Sequence, residues 1–164
     1  MANTNFMLSL QLGHLLADKG LKIALAESCT GGGLAQEITA VTGSSQWLDR
    51  AFVTYSNEAK IELLGVRAET LKQHGAVSHE IAAEMALGTI KHSHADISIS
   101  VTGIAGPTGG TAKKPVGLVI FGLAHKNGQV ATQSCIFTGG RKNVRVCAIH
   151  FALDWLLTKI TSLT

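Results

Sequence analysis

"LKIALAESCTGGGLAQEITAV", residues 21–41, holds a strand, a polar corner and a helix in one uninterrupted run. "LKIALAES" (21–28) is short and apolar, the pattern of a buried strand. "TGGGLAQEITAV" reads as a helix whose first turn is the glycines, ended near Gly43. A strand feeding a helix in this way is the opening of a βαβ unit and implies parallel pairing. Ser28, Cys29 and Thr30 stand at the corner. Glycines there allow backbone to approach a ligand, and helix N-terminal N–H groups stabilise negative charge, whether a phosphate or the oxyanion of a tetrahedral intermediate. Gly33 is explained equally well by close helix–sheet packing, whereas Gly31 and Gly32 are read as facing a ligand.

Outward from this unit, Leu8, Leu12, Leu15 and Leu16 recur at helical spacing over 6–18, and Gly20 stops that helix. "AFVTYS" (51–56) is a second strand. "NEAKIELLG" and "AETLKQHG" are two short helices closed by glycine. Ser78 caps a longer helix, "HEIAAEMALGTIKHS". "ISISVTGIAG" (97–106) is a third strand running into a glycine loop. Two further strands flank Asn127-Gly128, a hairpin turn signal. A final amphipathic helix covers about 141–160, with Val144, Cys147, Ala148, Phe151, Trp155 and Ile160 on its apolar side. The chain is an α/β protein, one domain over 1–164, with a mixed, mostly parallel sheet between two helical layers.

Composition fits that reading. Of 164 residues 46% are hydrophobic, 15% are charged and 18 are glycine, with a net charge of +3. No basic run with interleaved aromatics suggests a nucleic-acid groove, and no apolar run is long enough to span a bilayer. "MANTNFMLSL" lacks the basic and apolar regions of a signal peptide, and three scattered cysteines suit a reducing compartment, so a cytoplasmic location is expected. No CxxC or HExxH occurs, and "KHSH" (91–94) is read as a surface pair.

Ligands of open α/β sheets sit at the carboxyl ends of the parallel strands. Ser28, Tyr55, the loop "TGIAGPTGG" beginning at Thr102, and "TGGR" after the hairpin all fall on that edge. Lys60 of "TYSNEAK" stands in the first turn of a helix capped by Ser56 or Asn57, within reach of Tyr55. If desolvated, its amine can serve as general base to a hydroxyl. Neither GxxxxGK[ST] nor GxGxxG is present, which disfavours ATP or NAD. Arg141 beside the glycines suits a phosphate or carboxylate clamp. Arg145 is read as a helix-surface charge.

Together "AESCTGGGLA", "VTYSNEAKIELLGV", "HGAVS", "SVTGIAGPTGG", "KPVG" and "FTGGR" resemble the CinA C-terminal-domain family from about residue 8 to 160. Active members of that family are nicotinamide-nucleotide amidases. The resemblance implies a three-layer α/β/α sandwich, a homodimer, no cofactor or metal, and a nucleotide substrate whose carboxamide is hydrolysed. It places Ser28, Lys60, Tyr55 and Thr102 in the catalytic pocket. Cys29, Thr30, Gly31, Gly32, Gly103, Ala105, Gly106 and Arg141 would surround the substrate. Gly33 and Thr108 stand where many members carry a bulkier and an acidic residue, departures that bear on substrate preference. A non-catalytic nucleotide-binding module is the alternative, but it would not need Ser28, Tyr55 and Lys60 together. The lack of a ligand cluster predicts that activity survives EDTA. Loss on chelation with recovery on adding one divalent ion would show a metal enzyme.

Overall fold

The computed structural model describes residues 2–163. In chain order the elements are α1 (Ala2–Lys19), β1 (Ile23–Glu27), α2 (Gly33–Thr39), a single 3-10 turn (Ser44–Gln46), β2 (Leu48–Val53), α3 (Asn57–Leu64), α4 (Ala68–His74), α5 (His79–Lys91), β3 (Ile97–Gly103), β4 (Leu118–His125), β5 (Val130–Ile136) and α6 (Arg141–Thr161). The sheet order is β2-β1-β3-β4-β5. β1 is parallel to β2 and to β3, β4 is antiparallel to β3, and β5 is antiparallel to β4. Only β4 therefore opposes the common direction. Helices α1, α2 and α6 pack on one another, and α3 and α4 pack on α5. The expected α/β sandwich with a mixed sheet is what the chain forms.

The alternation along β3 builds both layers. Ile97, Ile99 and Val101 enter the larger core with Leu12 and Leu16 of α1 and Ala148, Ala152 and Leu156 of α6. Ser98, Ser100 and Thr102 point to the opposite face, as the two-residue period of a strand requires. Their hydroxyls donate to Ala86 O at 2.7 Å, Ala82 O at 2.6 Å and Ala76 O at 2.8 Å. Each such bond contributes about 1 kcal/mol net. Together they fix α5, and the loop before it, against the central strand.

Two of the boundaries that differ from the sequence reading bear on the site. α2 begins at Gly33, because Gly31 and Gly32 have φ of 58° and 93° and cannot continue a right-handed helix. β2 covers 48–53 rather than 51–56. Pairing starts early, at Ile23 N–H to Trp47 O (2.7 Å), and past Thr54 the carbonyls turn toward Lys60.

A Cβ at Gly122 of β4 would lie 2.2 Å from Ala82 O and 2.6 Å from Ser100 Oγ. Gly122→Val is therefore expected to push α5 off the sheet and to cost about 1–3 kcal/mol, as overpacking does. The measurement is the urea midpoint, with the transition slope unchanged.

Candidate active site

Ser28 is the first residue past β1. Its N–H donates to Val101 O at 2.9 Å, which carries the pairing with β3 one residue further and fixes the corner. On the neighbouring strand, Ser56 caps α3 by accepting the Ala59 N–H at 3.0 Å. Lys60 consequently lies one turn into α3, and its side chain reaches back under the strand ends. Lys60 is 1% exposed. Nζ is 3.1 Å from Ser28 Oγ and donates to Thr54 O at 2.9 Å, with Tyr55 O at 3.4 Å and Ser56 O at 3.5 Å. None of the ion pairs among the described residues involves Lys60. Burial disfavours the ammonium and holds its pKa below the ordinary lysine value.

A cavity of about 210 Å³ opens over this pair, lined among others by Ser28, Lys60, Tyr55, Thr102, Ala105 and Arg141. Cys29 and Gly103 also border it. The Thr102 hydroxyl is committed to Ala76 O. The Tyr55 side chain, on a residue 59% exposed, accepts from Arg141 Nη2 at 2.9 Å, while Arg141 Nη1 donates to Gly106 O at 3.0 Å. Tyr55 thus meets Lys60 through its backbone oxygen and Arg141 through its phenol. Four segments distant in sequence converge here because β1, β2, β3 and β5 all end on one edge of the sheet.

The glycine corner is organised differently from its sequence reading. Gly31 N–H donates to Ser28 O and Gly33 N–H to Thr30 O, both at 3.0 Å. Gly32 and Leu34 N–H donate to Glu27 Oε2 at 3.1 and 3.0 Å, and Ala35 N–H donates to Oε1 at 2.8 Å. The N–H groups of Gly31 and Gly32 are therefore not offered to a ligand. The physical reason is Glu27, a fully buried carboxylate that closes the positive end of α2. No backbone carbonyl takes the N–H of Cys29 or Thr30 in this turn, or of Ala105 or Gly106 in the loop after β3. Gly33 serves packing, since a Cβ there would sit 2.8 Å from Ile149 Cδ1.

Arg145 is not a plain surface charge. Its Nη2 donates to Thr30 O at 3.1 Å, and its Nε is buried without a hydrogen-bond partner. Its spacing of four from Arg141 was the available signal, because i and i+4 share a helix face. For Glu27 the signal was a carboxylate inside an apolar strand a few residues ahead of a helix start. Among the described residues, no group of three or more His, Cys, Asp or Glu side chains could hold a metal ion, and no helix is long and apolar enough to cross a membrane.

A model of the CinA C-terminal domain matches residues 5–160. The chain belongs to that family. It is 53% identical over 150 residues to a nicotinamide-nucleotide amidohydrolase PncC of Enterobacter agglomerans, with 92% of each chain covered. It is 50% identical over 149 residues to the protein of the same description from Escherichia coli strain K12, with 91% of this chain and 90% of that one covered. The crystal structure of the competence damage-inducible protein A from Klebsiella pneumoniae superposes with a TM-score of 0.94 at 38% identity, covering 98% of this chain and 99% of that chain. As a CinA C-terminal domain the chain shares the fold of these proteins as well as their sequence.

Beside Ser28 this domain carries a thiol, Cys29, whose burial pushes its pKa up to about 11. A thiol in that state is a poor nucleophile near neutrality. With iodoacetamide at pH 8, Cys29 is expected to alkylate roughly a hundredfold slower in the folded protein than in urea, the ratio of thiolate fractions. Equal rates by mass spectrometry would show a solvated, ionisable thiol.

Proposed function

We propose that the chain hydrolyses the carboxamide of nicotinamide mononucleotide to nicotinate mononucleotide and ammonia, a step of pyridine-nucleotide recycling. The observation that carries this reading is the buried Lys60 amine 3.1 Å from Ser28 Oγ, with no carboxylate pairing to hold it protonated. The substrate is supported by relatives at 53% and 50% identity that are described as nicotinamide-nucleotide amidohydrolases.

In the proposed mechanism Lys60 starts neutral. Its two N–H bonds point to backbone carbonyls and its lone pair faces the Ser28 hydroxyl. The amine takes the Oγ proton as Oγ attacks the carboxamide carbon. The oxyanion is held by amides that no backbone carbonyl takes, those of Cys29 and Thr30 or of Ala105 and Gly106, each such donor being worth about 3 kcal/mol of barrier. The ammonium of Lys60 then gives its proton to the departing nitrogen, and ammonia leaves. Water, deprotonated by the same amine, attacks the acyl-enzyme; as the ester C–O bond breaks, the Lys60 ammonium returns its proton to Ser28 Oγ and the nicotinate product is freed. Arg141, exposed at the rim of the cavity, meets the phosphate, and Tyr55 holds the guanidinium in place. Thr102 shapes the wall opposite.

Purified protein should release ammonia from nicotinamide mononucleotide. Tight binding without turnover would instead favour a nucleotide-binding module. Ser28→Ala should lose roughly a thousandfold or more in kcat, as for removal of a nucleophile, while still binding the nucleotide. Lys60→Arg should be nearly inactive, because a guanidinium keeps its proton. In the wild type, kcat/KM should rise with pH through an apparent pKa below that of free lysine, since only the neutral amine acts. A flat profile from mildly acidic to alkaline pH would remove Lys60 as the base.

A further inference from the structure

The carboxylate of Glu27 is the one fully buried acid of the chain's described core, and the reaction above makes no use of it. It belongs to the last residue of β1, directly before Ser28. Its two oxygens accept three N–H groups from the start of α2, at 2.8 to 3.1 Å. Those donors lie on the far side of the turn 28–32, so the side chain spans the turn like a strut. No side chain of α2 caps the helix, whose N-cap is Gly32. Without Glu27, two glycines at positive φ would connect Ser28 to α2 with little to hold them. Backbone bonds of Gly31 to Ser28 O and of Gly33 to Thr30 O close the turn internally, and Arg145 holds its outer carbonyl. The Ser28 N–H to Val101 O bond fixes the near end of the turn to the sheet, and Glu27 fixes its far end to β1.

We propose that Glu27 is a positioning residue for the nucleophile: it locks the turn after β1 so that Ser28 Oγ is held at Lys60. A charged carboxylate suits this task because bonds to an ionised acceptor are stronger than neutral ones. It also lies at the positive end of the helix dipole, where negative charge is stabilised. By occupying that end it leaves substrate anions to be held elsewhere, on Arg141. The inference rests on the reading of Ser28 as nucleophile.

Glu27→Gln keeps the shape, but its amide nitrogen can no longer accept an N–H. Two readouts test it: steady-state kinetics on nicotinamide mononucleotide, and the rate at which phenylmethanesulfonyl fluoride sulfonylates Ser28, followed by mass spectrometry. Labelling needs the Ser28 oxygen to displace fluoride, and so reports its activation without the substrate. The expected result is a fall of about a hundredfold in kcat, the cost of a small misplacement, with KM within about threefold of wild type and a similar fall in labelling rate. Circular dichroism confirms that the variant is folded; if it is not, Glu27→Asp, which keeps the charge but loses one methylene of reach, takes its place with the same expectation. A folded variant with kcat and labelling rate within about threefold of wild type overturns the proposal, whatever its melting temperature. So does a rise confined to KM. Should the wild type label at Ser28 yet release no ammonia, the substrate is wrong and the labelling rates alone decide Glu27's role. Should Ser28 resist labelling in the wild type as well, positioning and nucleophile fall together.

Discussion

A primary amine almost without solvent contact is the constraint around which this chain is arranged. Lys60 is removed from water with three backbone carbonyls and one hydroxyl around it and with no carboxylate pairing among the described residues. Burying an ammonium without a counter-ion is costly, and the group relieves that cost by favouring its neutral form. For the amine to end beside Ser28, β1 and β2 must be parallel neighbours that finish level, and α3 must start at once after β2. The register Glu27↔Val53 and the bond from Thr54 N–H to Glu27 O at 2.8 Å provide the first condition. The Ser56 cap provides the second. A slip of one residue in that pairing would turn the strand-end side chains to the other face.

The layer beneath the strands serves the same end. The three hydroxyls of β3 tie α5 and the Ala76 loop to the sheet, and Ala76 and Val77 form part of the cavity wall. On the other face α6 is seated by its buried residues from Val144 to Ile160. Its first turns carry Arg141 to Tyr55 and Gly106 and Arg145 to Thr30. The two arginines tie α6 to the loop after β3, the segment after β2 and the turn after β1. The cavity is thus bounded by segments whose backbones are bonded to one another, which suits chemistry that needs reacting atoms held in place.

Much of this was legible in the sequence. Alternation and length marked the strands, glycines and caps marked the helix ends, and Asn127-Gly128 fixed the hairpin, whose Gly128 has φ 91°. The direction of β5 followed from the hairpin, and with it the arrival of Arg141 at the same edge as Ser28. What escaped were relations that no local pattern encodes. Gly31 and Gly32 suggested an open anion site because their flexibility is visible in sequence; that the buried carboxylate of Glu27 would fill it is a tertiary fact. Arg145 looked like an exposed helix charge, although its spacing of four from Arg141 puts the two on one face of α6. The phenol of Tyr55 turned to Arg141 rather than Lys60, since the strand ends two residues before it.

Why a hydroxyl should act here, with a thiol next to it, follows from the charges each choice requires. A thiolate at Cys29 would place a negative charge in a buried site before any substrate arrived, and burial raises the thiol's pKa to about 11 in response. Its companion ammonium at Lys60 would be equally unwelcome in that site. Ser28 and Lys60 can both rest neutral, 3.1 Å apart. In the proposed reaction charge develops only as the proton crosses to nitrogen, and at that moment the oxyanion forms beside the ammonium and the amides proposed to hold it. Separation of charge is thereby confined to the transition state and its intermediate, which is where a site gains rate from stabilising it. The same low polarity that disfavours the ammonium at rest would strengthen its attraction for the oxyanion of the proposed intermediate.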